Sequence, residues 1–131
     1  MDTVSKLFDL AKKTRLNAYA PYSNFKVGAA ILTSNGRFYT GCNVENASYP
    51  CGTCAEAGAI AAMIAGGETK IAEILIIADT KCILPCGNCL QKIAEFGHED
   101  TLVHSADTQK IIKTQTLKDL LPQSFALKEE E

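Results

Sequence analysis

Two short stretches of the chain carry residues that can do chemistry together: Thr53-Cys54-Ala55-Glu56 and Pro85-Cys86-Gly87-Asn88-Cys89. If each stretch opens a helix and the two helix starts face each other, three sulfurs can hold one zinc ion while Glu56 reaches the fourth position. That arrangement would be a catalytic metal site with an open position. Cys86 and Cys89 are one near-turn apart and share a helix face. Helix amino ends also stabilise anionic sulfur and lower thiol pKa, which favours metal binding at neutral pH. For Glu56 alone, the simpler explanation is a first-turn charge that suits the helix dipole.

A second zinc chemistry competes on spacing. Cys51 with Cys54 and Cys86 with Cys89 form two Cys-x-x-Cys pairs, which could close a structural Cys₄ site. The segment between them, residues 55 to 85, is longer than a common zinc-ribbon spacing and encodes a whole helix and strand. A closed site of this kind would make the protein a zinc-stabilised interaction module without catalysis.

The elements that must position these groups follow from periodicity. Val4, Leu7, Phe8, Leu10 and Ala11 fall at helical spacing, so residues 3 to 18 read as an amphipathic helix that Thr3 could cap. Ala20-Pro21-Tyr22-Ser23-Asn24 breaks that pattern as a loop. Phe25 to Thr33 and Arg37 to Val44 read as strands of a hairpin turning at Ser34-Asn35-Gly36, and the small Gly28, Ala29 and Ala30 would let another element pack closely. Asn43 and Glu45 are two apart at the end of the second strand, so their side chains can project to one side. Their nearness to the first cysteine stretch favours a substrate contact over a merely solvated strand end.

Downstream, Tyr49-Pro50-Cys51-Gly52 reads as a turn, and residues 54 to 65 as a buried alanine-rich helix ended by Gly66-Gly67. The aliphatic run Ile71 to Ala78 predicts a central strand covered on both faces. Pro85 precedes a helix from Cys86 to Phe96 that ends near Gly97. Thr101 to Ser105 and Lys110 to Thr114 read as strands, Thr116 to Leu120 as a short helix, and Lys128 to Glu131 as a frayed end. Helices alternating with strands, without a linker or repeat, predict a single α/β layered domain over residues 1–131.

Composition bounds the partners. At 131 residues, with 47% hydrophobic and 21% charged residues, the chain has the balance of a soluble globular domain. A formal net charge of -2 offers no general field for nucleic acid. No apolar run approaches membrane-spanning length, and charges interrupt the first twenty positions, so a cytoplasmic protein without a leader is expected. In a reducing compartment the six cysteines are metal ligands, nucleophiles or small core residues rather than disulfides. Cys42, Cys51 and Cys82 are then packing or loop residues. His98 suits a helix carboxyl end, and neither His98 nor His104 falls in a ligand motif.

Cys54-Ala55-Glu56 followed by Pro85-Cys86-Gly87-Asn88-Cys89 resembles the zinc-dependent cytidine deaminases, specifically the short form with three cysteine ligands. The likeness extends to Tyr22-Ser23-x-Phe25-x-Val27-Gly28-Ala29-Ala30, to Asn43 through Tyr49, and to Leu120-Leu121-Pro122-x-Ser124-Phe125. The resemblance implies a three-layer α/β/α sandwich with a mixed central sheet. It implies that Cys54, Cys86 and Cys89 hold Zn²⁺, one per subunit, and that Glu56 shuttles protons. Asn43 and Glu45 match positions that bind the ribose hydroxyls, Phe25 an aromatic near the pyrimidine, and the Ala55 N–H a donor to its O2. Phe125 matches an aromatic that reaches a neighbouring subunit's site in relatives, which implies a homotetramer.

The implied function is deamination of cytidine and 2′-deoxycytidine in pyrimidine salvage, with neither nucleic acid nor membrane as partner. Blasticidin S, a related cytosine nucleoside, is the alternative substrate. One departure stands out: similar chains with three cysteine ligands carry arginine after the glutamate and after the last cysteine, whereas this chain has Ala57 and Leu90. Zinc with three thiolates is already anionic, so the charge must be balanced by another group.

Overall fold

A computed structural model describes residues 2–127; the predicted frayed end at Lys128 to Glu131 lies outside them. The first helix, α1, runs Thr3–Arg15. Its cap is Asp2, not Thr3: the Asp2 carboxylate accepts the Ser5 N–H at 2.8 Å. A carboxylate adds charge to the same capping geometry and so displaces the hydroxyl one position on. Ala18, placed on this helix by periodicity, lies beyond its end and is buried nonetheless.

Strands β1 (Val27–Thr33) and β2 (Phe38–Cys42) form the expected hairpin, each shorter than its predicted run. Phe25 precedes β1. A 3₁₀ turn at Tyr49–Cys51 leads to α2 (Ala55–Ala65), after which β3 spans Ile71–Ala78, as its aliphatic run predicts. Helix α3 is Gly87–Phe96, β4 is Leu102–Ala106, β5 is Ile111–Thr116 and α4 is Leu117–Leu120. No helix among the described residues is long and apolar enough to cross a membrane.

The strands order as β2-β1-β3-β4-β5, with β3 and β4 parallel and every other pair antiparallel. The mixed sheet follows from the connections. Short turns close the antiparallel β1–β2 and β4–β5 pairs, whereas β3 reaches β4 through α3, the kind of crossover a parallel pair requires.

Alternation along the strands divides the core into two. Ala29, Ile31, Ile74, Ile76 and Val103 face α2 and α3, while Ala30, Leu75 and Ile77 face Leu7 and Ala11 of α1. This is the α/β/α sandwich in residue form. Each fully buried Ile or Leu of β3 contributes about 1.5–3 kcal/mol, so the central strand anchors both layers.

Two glycines set how near the helices come. A Cβ on Gly28 would stand 2.4 Å from the Ala11 carbonyl oxygen, and one on Gly41 would stand 2.2 Å from the Ala59 nitrogen. The expected close packing at Gly28 is therefore present, and Gly41 does the same for α2. The amino end of α2 is thereby pressed against β2, which fixes the height at which Cys54 and Glu56 emerge.

Candidate metal centre and nucleoside site

Cys54 and Cys86 sit at the N-caps of α2 and α3, one residue before each helix begins. The Cys54 Sγ accepts the Ala57 N–H at 3.4 Å, so the thiol itself caps α2. Cys89, in the first turn of α3, brings its Sγ to 2.9 Å from that of Cys54. Among the described residues, the Cys54, Glu56 and Cys89 ligand atoms all lie within 4.8 Å of one another. Two helix starts thus converge as the motif spacing predicts.

The electrostatics of this group are those of a cation site. The hydrogen bond from Cys89 pulls the Cys54 thiol down to about 5, assisted by the Ala57 N–H and the Lys92 charge. Cys89 is pushed far up, first by the same bond and then by burial. The two sulfurs are within hydrogen-bond distance, and either can be the donor. Burial also raises Glu56, which is only 5% exposed, above the usual carboxylate range. Two sulfurs and a carboxylate this close cannot all be anionic unless a cation joins them. Soft sulfur donors with one oxygen match zinc, so the donor set fits the metal that the motif implies.

The remaining cysteines divide by place. Cys86 is exposed and its sulfur stands outside the compact group, although its charge acts on Cys89. Cys51 is exposed and donates to Ser48 Oγ at 3.6 Å, apart from the group that a closed four-sulfur site would require it to join. Cys42 is half-buried at the end of β2, and Cys82 is exposed ahead of α3. Ala57 is half-buried, while Leu90 belongs to the apolar core beneath α3. An arginine at position 90 would carry its charge into that core. Lys92, which the sequence did not single out, is a cation acting on the group, and its ammonium also donates to Asn88 Oδ1 at 3.2 Å.

Ala55 is fully buried as the first residue of α2. An N–H in this position has no intrahelical acceptor and is free for a ligand. Beside Cys54, Thr53 lines a cleft of about 370 Å³ shared with Glu45, Tyr22 and Tyr49, whose rings lie 6.4 Å apart.

Asn43 and Glu45 project to the same side, as their spacing predicts, and both grip the 20–27 loop. Asn43 Oδ1 accepts the Val27 N–H at 2.9 Å and its Nδ2 donates to the Phe25 carbonyl at 2.8 Å. Glu45 Oε1 accepts the Tyr22 and Ser23 N–H groups at 3.0 and 3.1 Å, and its Oε2 accepts the Ser23 hydroxyl. That hydroxyl bond, with the backbone donors, holds the Glu45 carboxyl below its usual value. Phe25 is 38% exposed. Phe125 is 68% exposed, with its carbonyl fastened to α3 by Gln91 Nε2 at 2.9 Å. Gln91 carries no motif signal of its own, and Ser23, part of the Tyr22 to Ala30 likeness, gains a specific role only where distant segments meet.

The histidines lie away from this region. His98 is exposed beside Asp100, at 3.7 Å. His104 is buried on β4, bonded through Nε2 to Glu73 at 2.7 Å and through Nδ1 to Thr114 at 2.8 Å.

Comparison with known proteins agrees with the geometry. Residues 1–105 match the model of the cytidine and deoxycytidylate deaminase zinc-binding region. The chain is 40% identical over 124 residues to a cytidine deaminase of Sporosarcina psychrophila, covering 94% of this chain and 91% of that one. Its fold is similar to the crystal structure of a cytidine deaminase from Burkholderia pseudomallei, with TM-score 0.88 and 41% identity, covering 95% and 100% of the two chains. A cytidine deaminase structure from Mycobacterium tuberculosis gives TM-score 0.83 at 33% identity, covering 97% and 100%.

Proposed function

The chain belongs to the zinc-binding cytidine and deoxycytidylate deaminase family, and from that premise we propose that it hydrolyses cytidine and 2′-deoxycytidine to uridine and 2′-deoxyuridine with release of ammonia. The observation that carries this reading is the convergence of Cys54, Glu56 and Cys89 at two helix starts. A first-turn charge could serve the helix dipole from the surface, but a carboxylate buried beside two sulfurs forgoes solvation and is better explained by a role at the metal.

In this reading Cys54, Cys86 and Cys89 hold the zinc. When bound, zinc supplies the Lewis acidity that makes water a competent nucleophile at neutral pH. Glu56 receives the proton that the attacking water gives up and delivers one to N3 as oxygen adds at C4. It then carries a proton to the exocyclic nitrogen as the C4–N bond breaks and ammonia leaves. Its place beside the sulfur ligands, buried from solvent, suits this two-way traffic, because the carboxylate is within reach of both the attacking oxygen and the base.

The Ala55 N–H donates to the pyrimidine O2, and the Phe25 ring stands against the base. Asn43 and Glu45 take the ribose hydroxyls. Glu45 already accepts three hydrogen bonds, but a carboxylate offers about four acceptor positions, which leaves room for one sugar hydroxyl. The exposed Phe125 suits a contact with a second copy, and the reading includes a homotetramer whose sites lie at subunit interfaces. The whole chain acts as one domain in the cytoplasm, serving pyrimidine salvage rather than nucleic-acid editing.

Zinc content and ammonia release from cytidine, measured on one preparation, test the reading. Zinc-loaded protein that releases ammonia supports it, and zinc-loaded protein inert towards cytidine overturns it.

A further inference from the structure

The loop at residues 20–27 meets the sugar-facing and base-facing residues through one small side chain. Ser23 donates its hydroxyl hydrogen to Glu45 Oε2 and accepts the Phe25 N–H on the same oxygen, at 3.0 Å. Asn24 between them takes φ of 58°, the left-handed conformation that asparagine tolerates better than most residues. Asn43 completes the frame by holding the Phe25 carbonyl and the Val27 N–H. The loop is thus closed on itself before any ligand arrives.

We propose that Ser23 is a positioning residue for the nucleoside, its hydroxyl fixing the Glu45 carboxylate and the Phe25 backbone in one rigid unit so that sugar and base are gripped at a set separation. The proposal deepens the deaminase reading and rests on it. A carboxylate held by two backbone N–H groups on Oε1 alone can still swing Oε2, and the Ser23 hydroxyl removes that freedom. A pre-organised acceptor binds its ligand without the cost of being ordered at that moment. The role is in binding rather than in chemistry, because Ser23 touches neither the metal group nor Glu56.

Ser23→Ala tests this, with Ser23→Thr as the variant that keeps the hydroxyl. Ser23 is exposed and its backbone N–H bond to Glu45 survives both changes. For Ser23→Ala we expect the cytidine KM to rise about tenfold, the scale of a lost charge-assisted hydrogen bond. We expect kcat to stay within about twofold and Ser23→Thr to restore KM. Combined with Glu45→Gln, the second loss should be much smaller than in the parent, since Ser23 acts through that carboxylate. Amide exchange at Phe25, measured without ligand, should quicken in Ser23→Ala. An active parent whose Ser23→Ala variant keeps its KM, or whose effects with Glu45→Gln add fully, overturns the positioning role alone. A parent inactive on cytidine overturns the functional reading and this role with it.

Discussion

The sulfurs of Cys54 and Cys89, 35 positions apart in the chain, stand 2.9 Å from each other. Each lies at the start of its own helix, so the contact ties α2 to α3. Replacing either should therefore do more than remove a ligand. We expect Cys54→Ala and Cys89→Ala to lose zinc, Cys86→Ala to lose it as well, and Cys51→Ala to keep the parent's zinc-to-protein ratio. Metal analysis of the four purified variants checks this. Loss of zinc in Cys51→Ala would restore the closed four-sulfur site.

Gly41 controls the same centre from a distance. A side chain there would collide with the backbone of α2 at Ala55 and Ala59, and backbone cannot turn aside as a side chain can. Gly41→Ala should cost about 3 kcal/mol or more, the upper range for overpacking. It should also weaken zinc retention, because α2 carries Cys54 and Glu56. Urea unfolding with an unchanged slope, together with metal analysis, separates the two effects.

Lys92 bears on the charge left unbalanced by Ala57 and Leu90. Its ammonium acts on Cys54 from the next turn of α3 after Cys89. Lys92→Met should bind zinc about tenfold more weakly, as loss of outer support for a metal site does. Ala57→Arg in that background should recover part of the loss. Competition with a zinc chelator measures both, and equal retention in all three proteins would place the compensation in the helix ends alone.

His104 supports the far edge of the sheet rather than the site. It is 2% exposed and joins Glu73 on β3 to Thr114 on β5. His104→Ala leaves the partly buried Glu73 carboxylate without its partner, while exposed Thr114 can turn to water, and should cost about 1–3 kcal/mol. Zinc content should not change. Chemical unfolding and metal analysis of the variant check the pair of outcomes.

Much of this arrangement was legible in the sequence, for identifiable reasons. The run from Ile71 to Ala78 has no polar residue except Glu73, so it could only be a strand covered on both sides. The motif residues Cys54, Glu56 and Cys89 are local to two helix starts, and the packing of α2 against α3 then brings them together. The cap of α1 was misread at Thr3 because Asp2 and Thr3 are both capping residues, and only the fold selects between them. Asn43 was legible as a polar group at a strand end, but its double hold on Phe25 and Val27 was not. That hold depends on two segments separated by a hairpin. The hold of Ser23 on Glu45, and Lys92 altogether, are illegible in the sequence for the same reason, since each acquires its meaning from a partner on another element.

The central claim is that Glu56 moves protons beside a zinc ion held by sulfur, and Glu56→Gln tests it most directly. Burial raises the Glu56 pKa above its ordinary value of 4.5. In metal-free protein its contribution to stability is therefore fully present below pH 4.5 and is lost as pH rises through the folded value. Glu56→Gln removes that loss, so metal-free variant should decline less in stability than parent as pH rises towards 8. With zinc bound, the variant should keep the parent's metal content while ammonia release from cytidine falls by at least about 10²–10⁴-fold. Zinc retention with parent-like ammonia release in Glu56→Gln would contradict the account.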